Sequence, residues 1–190
     1  MEITNADLLR YYFAWEEYEK YDLEKIENGD VEAFYKYLVG MRIARNFKAG
    51  KYKKIYETAK VFLEKNPNST DADKLSQDFF KNKLLRDGIN NAVVAASKIL
   101  WAFNHKAIII DNLAKRHLAK LAGKKICKMD DYNFFCKIWE EQYKVFEQEY
   151  KDKLEITCIG KIDTIFRKDW FIRRTFDNYL WAGKFLKDKN

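Results

Sequence analysis

The sequence predicts an all-α protein, a compact helical domain of about eight to ten helices. Three observations favour this fold class. The 190 residues include one proline and seven glycines, too few for a turn-rich β-sandwich. Apolar and aromatic residues recur at helical spacing along most of the chain. Threonine, asparagine or aspartate precedes several of these segments, as is typical of helix N-termini.

The first third of the chain predicts a series of short helices. Thr4 and Asp7 form a variant of the capping box that starts the first of them. A second helix is expected to begin at Gly29–Asp30. The basic segment from Arg42 to Lys54 predicts a short helix and a loop, and Tyr52 to Leu63 predicts a longer helix with one apolar stripe.

The clearest break in the chain is the turn Asn66–Ser69, which contains the only proline. The length fits a single domain of residues 1–190, and this break leaves two lobes, 1–66 and 70–190, as an alternative. After the break, Thr70 is expected to cap a helix that ends near Arg86.

The middle of the chain predicts one fully buried helix. Residues 92–103 are apolar on every face except at Ser97 and Lys98, and Asn91 precedes them as a cap. The run Ile108–Ile110 is interpreted as an extended linker in preference to a lone strand, because no other segment offers it a convincing partner.

The last part of the chain predicts amphipathic helices again. Asp111 is expected to cap the first of them, and Asp130 is expected to start a long helix toward Tyr150. Two final helices are expected to meet near Arg173–Arg174.

The charge balance suggests an anionic partner but does not establish one. Lysine and arginine number 36 against 29 acidic residues, which gives a net charge of +7. This surplus fits a phosphate-contacting surface, and it fits a merely soluble surface equally well.

The cysteines and the hydropathy pattern indicate a cellular location. Cys127, Cys136 and Cys158 form no close pair, so they predict buried or partly buried thiols in a reducing compartment. No secretory signal or membrane-spanning stretch is recognised, so the protein is expected to be cytoplasmic, without a membrane partner. Nothing requires more than a monomer.

Two residues of the middle segments carry potential chemistry. Lys98 lies in the apolar helix, where burial disfavours a charged ammonium, and a neutral amine is a nucleophile. Asp111 is expected to remain ionised by accepting backbone N–H bonds, and such a carboxylate can stabilise a cationic sugar in glycosidic cleavage.

The order of these features resembles the catalytic segment of the helix-hairpin-helix DNA glycosylases, especially the 8-oxoguanine glycosylase branch. An apolar helix with Ser97-Lys98 is followed by a short link, an extended apolar tripeptide and an aspartate that starts the next helix. The resemblance covers about Asn82 to Leu121. In addition, Phe176–Lys184 is loosely similar to the closing helix of small bacterial proteins with this fold.

The resemblance implies a role for individual residues. Lys98 would attack C1′ of the damaged nucleotide, and Asp111 would assist departure of the base. The extruded base would lie in a pocket of mainly flat side chains, for which the candidates are Trp101, Phe103, Asp177, Tyr179 and Trp181. Backbone phosphates of the duplex would be held by Ser97, His105, Lys115, Arg116, His117, Lys120, Arg173 and Arg174. With only two histidines in the chain, no metal or other cofactor is expected.

The leading hypothesis is therefore a DNA glycosylase that excises a modified base, with or without a lyase step, in DNA repair or in defence against phage. The alternative is a non-catalytic helical nucleic-acid-binding module, in which Lys98 reaches solvent and Asp111 only caps a helix. The lack of glycine in Val93–Ser97 favours this alternative, because the family's hairpin usually carries glycines. A third hypothesis is a structural bundle that binds a protein partner and no DNA.

Overall fold

The computed structural model describes residues 4–67, 69–154 and 164–182, and it confirms the all-α prediction. No strand occurs in these ranges; their one extended pairing is an isolated antiparallel bridge between Phe47 and Leu85. The labelled helices are α1 (Asn5–Ala14), α2 (Lys20–Glu27), α3 (Val31–Gly40), α4 (Tyr52–Lys65), α5 (Ala72–Lys81), α6 (Val93–Phe103), α7 (Asn112–Leu121), α8 (Tyr132–Leu154) and α9 (Asp169–Ala182). Shorter turns are the π-helical Trp15–Glu19 and the 3-10 helices Ala44–Asn46 and Ile126–Asp130.

The chain divides into two compact units. The middle unit is Trp15–Ile110, and the terminal unit combines Met1–Ala14 with Asp111–Asn190. The turn at Asn66–Ser69, which the sequence offers as a lobe boundary, lies inside the middle unit. Whether the two units form one domain stays a prediction.

The middle unit is built around α6. Its residues Ala95–Ser97 and Ile99–Ala102 are buried, as its continuous apolarity predicts, and α5 and α2 pack against it. The helix begins at Val93, where the Oδ1 atom of Asn91 accepts the N–H of Val93 at 2.9 Å. The capping position is therefore Ala92, and not Asn91 as predicted, and the helix begins one residue later than expected.

Helix α5 differs from its prediction at both ends. Asp71, and not Thr70, is the cap, because its Oδ1 accepts the N–H of Lys74 at 3.0 Å. The helix ends at Lys81 and not near Arg86, because Lys83 takes a left-handed backbone conformation with φ of 56°.

The extended run Ile108–Ile110 ends the middle unit. All three isoleucines are buried, and none belongs to a strand. The N–H of Ile110 donates to the hydroxyl of Ser97 at 3.2 Å, which satisfies a buried backbone group without a sheet. The preference for a linker over a strand is confirmed.

The terminal unit packs α7, α8 and α9 around an aromatic core, and α1 contacts α9. The largest buried rings of its described residues are those of Phe135, Trp139, Phe146, Phe171, Phe176 and Tyr179. At its start, Thr4 and Asp7 form the expected capping box, with reciprocal hydrogen bonds of 3.2 Å to the two backbone N–H groups.

Two expectations for the terminal unit are wrong in detail. Asp131, and not Asp130, caps the long helix α8, accepting the N–H of Phe134 at 2.9 Å, and Asp130 lies in the preceding 3-10 turn. Helix α9 runs unbroken through Arg173–Arg174, so no junction of two helices lies there. The segment 161–163, which was expected to begin the first of those helices, is outside the described residues.

None of the helices in the described ranges is long and apolar enough to cross a membrane.

Candidate functional site

Asp111 caps α7 as the sequence predicts. Its Oδ1 accepts the N–H of Ala114 at 2.8 Å, and its backbone is extended, as is normal for a capping residue. The side chain is partly buried. A short polar side chain at a helix start needs only local contacts, so this position could be identified from sequence alone.

Asp177 on α9 is a buried carboxyl group of the terminal unit with a raised pKa. The residue is 8% exposed, and its Oδ1 accepts the indole N–H of Trp139 at 3.0 Å. Burial raises the pKa of Asp177 to about 7, against the opposing effects of Arg174, the Trp139 hydrogen bond and Arg173. The negative charge of Asp111 raises this pKa further, so the two carboxyl groups are close enough to interact.

Oδ1 is the carboxyl oxygen of Asp177 for which the structure describes a hydrogen-bond donor. Within the part of the chain that the structure describes, Oδ2 accepts no hydrogen bond. A carboxyl oxygen that is not used by a described protein donor can accept a hydrogen bond from a ligand when ionised, or donate one when protonated.

Arg173 is held next to this carboxyl group. Its Nη2 donates to Glu140 Oε1 at 2.7 Å, and its guanidinium carbon lies 4.6 Å from the centroid of the Trp139 ring and 5.1 Å from that of Tyr143. Stacking and a close carboxylate partner both fix an arginine. Arg173 was predicted to contact a phosphate; in the structure it forms this ion pair, and the phosphate contact stays a prediction.

Lys98 lies on α6 in the middle unit, and its side chain is partly buried. The Nζ atom donates to the backbone carbonyl of Met41 at 3.2 Å, while the hydroxyl of Tyr37 donates to the carbonyl of Lys98 at 2.7 Å. The amine therefore lies at the C-terminal end of α3, where exposed carbonyls attract a cation.

Ser97, predicted to contact the DNA backbone, is fully buried with 0% exposure. Its hydroxyl accepts from Ile110 and donates to the carbonyl of Val94 at 3.0 Å. A phosphate contact would require this hydroxyl to be uncovered.

The predicted base-pocket residues differ in exposure. In the middle unit, Trp101 is buried against Trp15 and His105, and Phe103 is partly buried against Phe34 and Tyr56. In the terminal unit, Tyr179 is buried in the aromatic core. Trp181 is 59% exposed, so it is the flat side chain of this set that a base can reach without rearrangement of the core.

The predicted phosphate contacts of α7 separate into paired and exposed groups. Lys115 forms an ion pair with Asp130 at 2.7 Å, and the Nδ1 atom of His117 is hydrogen-bonded to the carbonyl of Leu180. Arg116 and Lys120 are exposed.

The two remaining phosphate candidates lie elsewhere. His105 packs between the rings of Trp15 and Trp101 in the middle unit. Arg174 is partly buried on α9, and its charge lowers the pKa of Asp177.

The cysteines only partly follow their prediction. Cys127 is exposed, which contradicts the expectation of a buried thiol, and Cys136 is partly buried. Cys158 lies outside the described residues. Among the residues with described structure, no group of three or more His, Cys, Asp or Glu side chains is arranged to hold a metal ion.

Sequence reasoning missed Trp139 and Glu140. Both lie on a helix that the spacing predicts, but Trp139 is 38 residues from Asp177, and Glu140 is 33 residues from Arg173. A single sequence contains no signal for such pairings, because only the packing of α8 on α9 brings them together.

No protein-family model matches the chain, and comparisons with characterised proteins and with solved structures found no significant match. The likeness to the helix-hairpin-helix glycosylases therefore depends on the residues quoted above.

Proposed function

We propose that this protein is a DNA glycosylase that excises a modified base by cleavage of the N-glycosidic bond. The observation that supports it best is the pair of carboxyl groups in the terminal unit. Asp177 is buried with a pKa of about 7, and the charge of Asp111 contributes to that value. Two interacting carboxyl groups in different environments can take different roles in one reaction.

The roles follow from the environments. Asp111 stabilises the positive charge that develops on the sugar as the base departs, because the transition state resembles an oxocarbenium ion. Burial raises the pKa of Asp177 to about 7, so a protonated form is accessible near neutral pH and donates a hydrogen bond from Oδ2 to the leaving base. Arg174 supplies a positive charge near the same carboxyl group.

Lys98 has a separate role in this proposal. A neutral Lys98 amine attacks C1′ of the sugar, the glycosidic bond breaks, and the bonding electrons leave with the base. Ring opening and loss of the amine proton then give a Schiff base. Borohydride reduces this Schiff base to a stable amine, so trapping on DNA with an abasic site measures the step directly. Lys98→Gln should abolish the adduct, and Lys115→Gln should not.

Base release is tested on a panel of genomic DNAs that differ in base modification, including DNA from phage with modified bases. The purified full-length protein is incubated with each DNA, and abasic sites are scored with an aldehyde-reactive probe. We expect abasic sites in one DNA of the panel and none with Asp111→Asn. The matched control is Asp131→Asn, because Asp131 caps α8 as Asp111 caps α7.

Two results would contradict this proposal. Wild-type excision by Asp111→Asn removes Asp111 from the mechanism. Absence of abasic sites in every DNA of the panel leaves the second candidate function.

That second candidate is a non-catalytic nucleic-acid-binding module. It is favoured by the structural partners of the candidate residues: Lys98 contacts the Met41 carbonyl, and Asp111 accepts the N–H of Ala114. These contacts are sufficient to explain both residues without chemistry. Salt-sensitive DNA binding, together with no borohydride adduct and no abasic sites, would establish this module in place of the enzyme.

A further inference from the structure

A group of basic residues in the middle unit has no part in the chemistry above. It lies on the two chain segments, 42–54 and 83–86, that the Phe47–Leu85 bridge joins, and we refer to it as the bridge cluster. Its members are Arg42, Arg45, Lys48, Lys51, Lys53, Lys54, Lys83 and Arg86. All are exposed except Lys48, which is partly buried and forms an ion pair with Asp87 at 3.2 Å.

The backbone brings the two halves of this cluster together. The N–H of Lys48 donates to the carbonyl of Leu84 at 3.0 Å, and the N–H of Arg86 donates to that of Asn46 at 2.9 Å. Phe47 and Leu85 anchor the two segments in the core. Antiparallel neighbours lie about 5 Å apart, so Lys48 and Arg86, which flank the bridge, lie near one another although they are far apart in sequence.

Two of these cations occupy strained positions. Arg42 follows α3 and Lys83 follows α5, with φ of 57° and 56°, and they are the non-glycine residues with positive φ in the described chain. Glycine is the usual residue at such a helix end, because a side chain is disfavoured in the left-handed region. Both helix ends thus carry a cation where folding alone favours glycine.

The cluster carries little compensating charge apart from Asp87, which pairs with Lys48. Residues 42–54 contain six basic residues and no acid. The first turn of α4 has no acidic residue, although lysines near a helix N-terminus are unfavourable. The seven exposed members form no ion pair within the ranges that the structure describes. By contrast, Lys115 and Arg173 of the terminal unit are both paired.

We infer that the bridge cluster is the surface that contacts the phosphates of duplex DNA. Several exposed cations on two adjacent segments can contact phosphates, and such binding is driven by release of counterions. The Nζ atom of Lys98 contacts the carbonyl of Met41, the residue directly before Arg42. The candidate nucleophile therefore lies at the edge of the cluster. The choice of DNA rests on the proposed glycosylase function.

The test is a salt titration of binding to an unmodified fluorescent DNA duplex. Each phosphate contact contributes about 0.9 to the slope of log K against log salt. Arg45→Gln combined with Arg86→Gln should lower this slope by roughly 1.8 and weaken binding by roughly tenfold or more at low salt. The control combines Lys36→Gln with Lys65→Gln, which removes the same charge from exposed sites of the same unit and should leave the slope near the wild-type value.

A second pair of variants separates binding from folding. Arg42→Gly and Lys83→Gly relieve the left-handed strain, so each should raise the melting temperature while it weakens DNA binding. A structural role alone predicts no loss of affinity in these stabilised variants. If affinity is unchanged in both, or if the slopes of the test and control pairs are equal, the inference is wrong.

The outcome is distinguishable from failure of the proposed enzyme. If the double variant of Arg45 and Arg86 still releases the base and its salt slope is unchanged, the inference about the bridge cluster is wrong. The proposed glycosylase function then stands. A cluster-dependent slope without any abasic site keeps the surface and removes the glycosylase. Binding to vesicles of anionic lipid but not to DNA overturns the inference in favour of a membrane surface.

Discussion

The indole N–H of Trp139 donates a hydrogen bond of 3.0 Å to Oδ1 of Asp177, and both side chains are buried between α8 and α9. The same indole ring carries the guanidinium of Arg173 on its face. Trp139 thus holds the carboxyl group of Asp177 and stacks on the guanidinium of Arg173, and its loss should disturb both side chains. The electrostatics of the terminal unit depend on this contact.

Asp177 should make stability depend on pH. Its pKa is about 7 in the folded protein and about 3.9 when unfolded. Between these values the folded state binds a proton that the unfolded state does not, so stability falls as pH rises from about 4 to about 7, by up to roughly 4 kcal/mol. Asp177→Asn should remove this component and be more stable than wild type at pH 8.

Urea unfolding of both proteins at several pH values measures this effect. The control is Asp152→Asn, at an exposed position of α8. Equal pH dependence of wild type and Asp177→Asn would contradict a raised pKa of Asp177, because the folded and unfolded states would then bind the same number of protons at this residue.

Trp139→Phe should raise the pKa of Asp177 further. Phenylalanine keeps a ring beneath Arg173 but cannot donate a hydrogen bond, and the bond from Trp139 lowers this pKa. We expect a loss of about 1–3 kcal/mol at pH 8, where the buried carboxylate is left with fewer partners. Trp181→Phe, at an exposed position, should change stability little. A pH titration of the Asp177 carboxyl carbon by NMR reports the shift, and an unmoved midpoint would contradict it.

Much of the fold could be predicted from sequence because its signals are local. The buried helix α6 follows from its continuous apolarity, and the cap at Asp111 follows from a side chain that bonds its own helix. The end of α5 could not be predicted, because Lys83 adopts a backbone conformation that its residue type disfavours.

In the candidate site, too, the residues with local sequence signals could be predicted, and those that depend on helix packing could not. Lys98 and Asp111 are recognisable because short motifs contain them, and Asp177 was proposed only as a residue of the closing helix. Its burial depends on α8, and so do the contacts that Trp139 and Glu140 make with α9. The bridge cluster was visible as a basic run at 42–54, but its second half depends on the pairing of Asn46 with Arg86.

Ser97→Ala should destabilise the protein through one buried backbone group. The Ser97 hydroxyl accepts the buried N–H of Ile110, and alanine leaves that donor without its partner. Such a loss costs about 1–3 kcal/mol. Ser69→Ala removes a longer, partly exposed bond of 3.3 Å to Asp71 and should cost less. Thermal unfolding measures both, and a weaker DNA affinity at unchanged stability would instead support the predicted phosphate contact of Ser97.

Asp111 has two separable roles, as a helix cap and as a charge near Asp177. Asparagine caps a helix about as well as aspartate, whereas alanine costs about 1 kcal/mol. Asp111→Asn should therefore keep stability near that of wild type, and Asp111→Ala should lose about 1 kcal/mol in urea unfolding. Both variants should lower the pKa of Asp177, because the charge of Asp111 raises it.

Both variants should also abolish base release, since neither supplies a negative charge to the sugar. A structural role alone predicts that activity follows stability, so Asp111→Asn would then be active and only Asp111→Ala impaired. The decisive result is loss of excision in Asp111→Asn while the free energy of unfolding is unchanged and the titration midpoint of Asp177 is lowered. Because the helix cap is then intact, this result assigns Asp111 to the chemistry.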